Sequence, residues 1–288
     1  MATRSAARPS IRHHGEVIGQ GDARLVRSAD LVQAAWIQER VAGPGAGLRS
    51  ILPAGFPVYV RVLHPAEGPS SEQFRLVRWA EVAERAGVTM HASIDFDDLA
   101  AGLDARAGCE LWDVREPDTG NLDPEALAAL CDILARHTAT PEACWFGVWD
   151  GHGWLHPGGV FVAVFTGTDA VVKDSDGTES PPIEQAVPVI GLTWNERSPA
   201  MPLFELPWRE HRLLSGPLDA ALEMGSVVNG VFFPHSPSLI WPEDHAWCVA
   251  TDVDLRSTYV AATPALADEL LSGDRLEAWP VRPDDPLS

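Results

Sequence analysis

Two carboxylates separated by a single residue, Asp252 and Asp254, follow an apolar run in WPEDHAWCVATDVDLRSTYV, residues 241–260. Period-two alternation over 246–255 places both on one face of a strand, roughly 6 to 7 Å apart at the backbone. At that separation they can share a hard divalent cation or raise each other's pKa. Further ligands would have to come from elsewhere, and Asp95 in DFDD is the first candidate. The alternative is that the pair lies where the strand leaves the core, facing water or capping a turn.

Cys248 and His245 have the residue types of a nucleophile and its general base, but their spacing argues against that role. Residues three apart point to opposite faces of a strand, and small apolar neighbours raise a thiol pKa. We therefore predict that Cys248 is buried and structural and that His245 belongs to a turn. His152 and His156 have HxxxH spacing, but the surrounding glycines and Pro157 preclude the helix on which that spacing binds zinc. No catalytic residue is predicted.

Tryptophan is the second unusual feature, with 11 residues in a chain of 288. Trp is large and seldom wholly buried, so several indole rings are expected to line a groove. The turn-rich DGHGWLHPGG and the 241–260 stretch supply the candidates. The predicted binding residues are Trp149, His152, Trp154, Trp241 and Trp247. The alternative is that these rings fill the core.

The charge balance limits the partners, because 41 acidic residues against 21 basic ones give a formal net charge of −20. Such a surface repels phosphate backbones and anionic headgroups, so neither nucleic acid nor a membrane is an expected partner. The four cysteines have no CxxC spacing, and no signal-peptide pattern or membrane-length apolar run is seen. These features predict a soluble cytoplasmic protein with reduced thiols.

Helix and strand patterns alternate irregularly along the chain, without βαβ periodicity. The clearest helix follows Asp123, which is placed as an N-cap before Pro124. The predicted class is α+β, a mainly antiparallel sheet with flanking helices, in one unit or in two lobes. The predicted organisation is a disordered basic arm (1–28), an N-terminal lobe (29–138) and a C-terminal lobe (139–288) with a Pro-rich excursion at 172–202. An irregular apolar loop is expected at 226–240.

Four blocks of the chain, PAGFPVYVRVLHP, RWAEVA, CWFGVWDGHGWL and AWCVATDVDLRSTYV, occur in this order. In these blocks the chain resembles a group of actinobacterial proteins to which no activity is assigned. The resemblance implies an organism type and a compartment, and no catalytic residues. It directs attention to His64 and to the Asp252–Asp254 pair, which are polar positions inside the blocks.

Two hypotheses follow. The first is a non-catalytic protein that binds a small molecule or a protein through a Trp-lined acidic surface, in an immunity-type or regulatory role without a cofactor. The second is a metal-assisted hydrolase or transferase, in which a divalent metal is held by Asp252, Asp254 and Asp95 (or Asp97 in its place), with one of His64, His91 or His245.

Overall fold

The computed structural model describes residues 24–68, 75–105, 114–155, 187–188, 202–228 and 231–287. The α-helices in these ranges are α1 (Val32–Gln38), α2 (Trp79–Ala86), α3 (Phe96–Ala105), α4 (Pro124–Ala135) and α5 (Pro264–Ser272). Short 3-10 turns lie at Gly47–Ser50, Gly153–Leu155 and Leu218–Glu223. No helix of these ranges is long and apolar enough to cross a membrane.

The strands of the described ranges are β1 (Val26–Arg27), β2 (Val58–Leu63), β3 (Ala66–Gly68), β4 (Arg75–Val77), β5 (Cys144–Trp149), β6 (Val187–Pro188), β7 (Phe204–Leu206), β8 (Arg209–Gly216), β9 (Gly225–Val228), β10 (Val231–Pro234), β11 (Leu239–Pro242), β12 (Cys248–Thr251), β13 (Ser257–Ala262) and β14 (Ala278–Val281). The main sheet has the order β1-β8-β5-β11-β12-β13-β2-β14, and β7 also pairs with β8. Every pairing in it is antiparallel. The predicted α+β class with a mainly antiparallel sheet is confirmed.

Both faces of this sheet are covered, because its central strands point apolar side chains to both faces. On one face α4 and α5 pack against side chains such as Val60 and Val249. On the other, α1 and the 47–52 segment cover Tyr59, Trp241 and Tyr259. The helix predicted after Asp123 is confirmed, with the Asp123 carboxylate accepting from the backbone N–H groups of Glu125 and Ala126.

The main sheet contains strands from both of the predicted lobes. Strand β2 comes from the predicted N-terminal lobe, yet it lies between β13 and β14, so the sheet does not divide at residue 138. The end of the predicted disordered arm is ordered: Val26–Arg27 pairs with β8, and Arg24 forms an ion pair with Asp219 at 2.7 Å. The rest of the arm (1–23) and nearly all of the 172–202 excursion lie outside the described residues.

Two expectations about local structure were wrong. The irregular loop expected at 226–240 contains β10 and parts of β9 and β11, because β9 and β10 pair with each other and the apolar residues of β11 pair with the distant β5. The strand expected at 246–255 is limited to Cys248–Thr251, and the chain turns at 252–256 before β13 begins.

Candidate functional site

The polar candidates gather at one end of the main sheet. Trp149 at the end of β5 is opposite His211 near the start of β8. Thr251 at the end of β12 is opposite Thr258 near the start of β13, and Ser257 is opposite Leu63 at the end of β2. Antiparallel pairing thus brings residues from distant parts of the sequence to this end of the sheet.

Aromatic and imidazole rings form the first group at this edge. The Trp154 ring stacks on His235, with centroids 5.0 Å apart and planes at 4°. His152 lies 5.2 Å from Trp149 and 5.6 Å from Trp154. Burial lowers the pKa of His152 to about 3 and that of His235 to about 4, so both rings are neutral near pH 7.

The structure therefore divides the five predicted binding residues. Trp149 and His152 are half-buried, whereas Trp154 is buried at 3% exposure. Trp241 and Trp247 are both at 0% exposure and lie in the cores on opposite faces of the sheet. The prediction that they line a surface is wrong, because the sheet is covered on both faces and each ring is buried in one of the two cores; for these two rings the core alternative is correct.

Asp252 and Asp254 lie at the start of the turn after β12, and an arginine binds both. Arg209 Nε and Nη2 each donate to Asp252 at 2.9 Å, and Nη2 donates to Asp254 at 2.5 Å. Burial opposes ionisation of Asp252, but the hydrogen bonds from Arg209 and from the Asp254 N–H outweigh it and lower its pKa. Asp252 and Asp254 thus fit the alternative in which they leave the strand and cap a turn. Arg209, His211, Asp252 and Asp254 are called the hairpin region below.

The third predicted metal ligand, Asp95, has a different partner. It lies 3.6 Å from Arg256, which also pairs with Asp97 at 3.0 Å. A cation shared by Asp252 and Asp254 would have to displace Arg209. Within the part of the chain that the structure describes, no group of three or more His, Cys, Asp or Glu side chains is arranged to hold a metal.

The positions of Cys248 and His245 agree with the spacing argument. Cys248 is at 0% exposure, and burial raises its thiol pKa. His245 lies in the turn between β11 and β12, where it has a φ of 54° and stacks on Trp36 at 4.2 Å.

His64 is buried and belongs to a chain of hydrogen bonds. Its Nδ1 lies 2.7 Å from the Asp118 carbonyl oxygen, so this nitrogen carries the proton and donates. Its Nε2, at 3.0 Å, then accepts from the hydroxyl of Thr258, which lies 2.8 Å from the Thr251 hydroxyl. Burial lowers the pKa of His64 to about 4. The His64 imidazole is therefore neutral, and this chain of hydrogen bonds connects the end of β2, strands β12 and β13, and the loop that carries Asp118.

A cleft of 460 Å³ opens beside this edge. Four carboxylates line it, Glu67, Glu116, Asp118 and Asp123, and its remaining wall includes Phe233, Pro234 and His235. We call it the acidic cleft. Arg115 lies 3.3 Å from Glu67, and Arg256 lies 2.5 Å from Glu116. No arginine or lysine of the described residues pairs with Asp118 or Asp123.

The position of Asp118 in the cleft changes its pKa. Partial desolvation raises its pKa; a hydrogen bond from Asn121 opposes the rise, and the charge of Asp123 adds to it. The loop that carries Asp118 is fixed by Gly120, whose φ is 69° and whose N–H donates to the Leu255 carbonyl at 2.7 Å. A Cβ at Gly120 would overlap the backbone of Val253, so the cleft and the 252–256 turn are held together.

Sequence reasoning missed Arg209, His211 and His235. The two histidines look isolated in the sequence, and Arg209 is 43 residues from Asp252. The only available signal was that these polar residues lie beside prolines and turn residues at strand ends.

Comparisons with known proteins found no relative of this chain. No family model matches the chain, and neither the curated proteins nor the solved structures include a match. The resemblance to actinobacterial proteins stays a prediction.

Proposed function

We propose that this chain is a non-catalytic binding protein that receives a basic segment of a partner protein in its acidic cleft. The observation that carries the proposal is the cleft of 460 Å³ with two carboxylates, Asp118 and Asp123, that have no basic partner among the described residues. Its volume is within the range of sites that enclose a ligand.

The charge of the cleft favours a cation. Two acidic side chains without counter-ions on a body of net charge −20 produce a negative potential. The pKa of Asp118 is raised mainly by desolvation, and the charge of Asp123 adds to the rise. A guanidinium or ammonium group would relieve this potential and be drawn toward the cleft from a distance.

The wall of the cleft favours a side chain with an apolar stem. Phe233, Pro234 and Pro65 supply apolar surface next to the carboxylates. Arg and Lys place their methylene groups along such surface and keep the charged end at a polar rim. This is the concrete form of an immunity-type or regulatory role. The proposal keeps a cytoplasmic location, because Cys131, Cys144 and Cys248 are free thiols, as a reducing compartment maintains them.

The test is calorimetric titration of the full chain with an arginine-rich peptide and with the same peptide carrying Gln at each Arg. We expect binding of the first peptide only. The double variant Asp118→Asn and Asp123→Asn should weaken it about tenfold or more, since each charge contact in a partly desolvated site contributes about 1 kcal/mol. Asn at 123 keeps the helix cap.

Asp268→Asn provides the matched control, because Asp268 is exposed on α5 and does not line the cleft. It should change the affinity less than about twofold at moderate salt. Failure of the arginine-rich peptide to bind would refute the proposal. An equal effect of the cleft and control variants would also refute it, because the attraction would then be general to the surface.

A further inference from the structure

The N-terminal end of the described chain is fixed close to the acidic cleft. Arg24 Nε donates to the Glu223 carboxylate at 2.9 Å, and Nη1 donates to Asp219 at 2.7 Å. The residue after Glu223, Met224, accepts at its carbonyl from the N–H of His235 at 2.9 Å, and His235 lines the cleft. Because only these contacts separate them, the Cα atoms of Arg24 and His235 lie within about 20 Å of each other.

A second set of contacts links Arg24 to Asp123. The 3-10 turn Leu218–Glu223, which carries both acceptors of Arg24, packs on α4. Leu218 of this turn belongs to the same core as Leu127 of the helix. Asp123 is the N-cap of α4, and among the described residues it has no basic partner. The chain therefore enters the fold beside the elements that carry the cleft.

The sequence before Arg24 has the charge that the cleft lacks. Residues 1–14 contain three arginines, Arg4, Arg8 and Arg12, and no acidic residue. Every segment outside the described residues other than 1–23 has more acidic than basic residues or no charge at all. Among these segments, 1–14 is thus the one whose charge is complementary to the cleft carboxylates. We call it the N-terminal segment.

The N-terminal segment is long enough to reach the cleft. Arg12 precedes Arg24 by 12 positions, and an extended chain of that length spans about 40 Å, which is about twice the separation of Arg24 from His235. A segment on a short tether has an effective concentration of about 1 mM. Weak affinity is then sufficient: a dissociation constant of about 0.1 mM would fill the cleft in roughly nine molecules of ten.

We propose that the N-terminal segment occupies the acidic cleft of its own chain and competes there with the basic segment of the partner. The inference rests on the proposed function, since both segments bind the same carboxylates, Asp118 and Asp123. Phe233 and Pro234 supply apolar surface for the arginine stems of either segment. A partner must displace the N-terminal segment, so its apparent affinity is about tenfold below that for an open cleft.

The first measurement is calorimetric titration of the full chain with the arginine-rich peptide. The variant with Arg4→Gln, Arg8→Gln and Arg12→Gln, called the arm variant, keeps the length of the chain and removes the competing charge. It should bind the peptide about tenfold more tightly than the wild type. Adding Asp118→Asn and Asp123→Asn to the arm variant should abolish this gain.

A matched control removes the same charge elsewhere. Arg40→Gln, Arg85→Gln and Arg282→Gln together change three exposed arginines that do not line the cleft. This control should change the affinity less than about threefold at moderate salt, because distant surface charges are screened. A gain equal to that of the arm variant would show that only the overall charge matters, and would overturn the inference.

The second measurement needs no peptide. Asn121 lines the cleft, and its side-chain amide donates to the Pro234 carbonyl at 3.3 Å. In the 15N-labelled full chain, the Asn121 side-chain amide resonance should differ between the wild type and the arm variant. It should be the same in the wild type and the control. High salt should move the wild-type resonance toward that of the arm variant.

The outcomes separate this inference from the proposed function. Equal peptide affinity in the wild type and the arm variant would overturn the inference and leave the proposed function intact. A peptide that fails to bind even the arm variant would refute the proposed function, and an unchanged Asn121 resonance would then overturn the contact as well. A wild-type Asn121 resonance that changes on dilution would place the segment of a second copy in the cleft, which would overturn the intramolecular contact.

Discussion

The hairpin region and the acidic cleft both contain aspartates near the same end of the sheet, but the two regions differ in whether an arginine pairs with those aspartates. In the hairpin region Arg209 binds Asp252 and Asp254, and the arginine and Asp252 are only 16% and 15% exposed. In the cleft, Asp118 and Asp123 have no basic partner among the described residues. Compensated carboxylates fix a turn, whereas uncompensated ones leave a potential that a ligand can satisfy.

The largest expected effect is the loss of stability in acid that two buried histidines cause together. His211 and His235, one beside each region, have a pKa of about 4 because they are buried, whereas an unfolded histidine titrates near 6.5. The unfolded chain therefore binds more protons, so stability is lost as pH falls from 6.5 toward 4. At pH 5 each histidine should cost about 2 kcal/mol relative to pH 7. Urea unfolding of the wild type, His211→Phe and His235→Phe at both pH values checks this, and equal pH dependence in all three would contradict it.

Arg209→Met should break the hairpin region. It leaves Asp252 largely buried without its counter-ion, which should lower the free energy of unfolding by about 3 kcal/mol. Adding Asp252→Asn should restore part of the loss, because the remaining group is then neutral. Urea unfolding near neutral pH measures both. A loss below about 0.5 kcal/mol for Arg209→Met would mean that the pair is solvated like an ordinary surface pair.

Asp118→Asn should have the opposite sign. The folded-state pKa of Asp118 is raised, so its charged form is disfavoured by folding, and stability rises as pH falls through that pKa. Removing the charge should stabilise the protein by a few tenths of a kcal/mol near pH 7, up to about 0.5 kcal/mol, and by less in acid. Thermal unfolding beside Asp268→Asn is the measurement. Destabilisation would indicate that Asp118 has a stabilising partner.

Asp254→Asn should have the smallest effect. Its side chain is 79% exposed although it lies 2.5 Å from Arg209. An exposed ion pair is screened by water and salt, so the change should be about 0.3 kcal/mol or less and should vanish in high salt. The same urea measurement at two salt concentrations tests it, and a cost comparable to that of Arg209→Met would show that both carboxylates are needed.

Local pattern was sufficient for part of the fold. The helix after Asp123 is in the structure as expected, since caps and apolar runs act over a few residues. The strands at 225–242 were missed because the patterns there are short and interrupted by prolines; β9 and β10 pair with each other as neighbours in the chain, whereas β11 pairs with the distant β5.

The candidate site was predictable only in its parts. The spacing separated Cys248 from His245, but it placed the Asp pair on a strand over 246–255; the alternative, in which the pair leaves the strand, matches the structure. It could not show that Arg209 binds that pair, that Trp241 and Trp247 are enclosed from both sides, or that His235 stacks on Trp154.

The sequence by itself determined the acidic charge, the α+β character and the local caps, because these depend on composition and on neighbours within a few positions. The tertiary structure alone decided which carboxylates are paired with an arginine and which histidines are buried and neutral. Antiparallel pairing brings together side chains from β5, β8, β11 and β12, and the burial and counter-ions that result set the charge of each group.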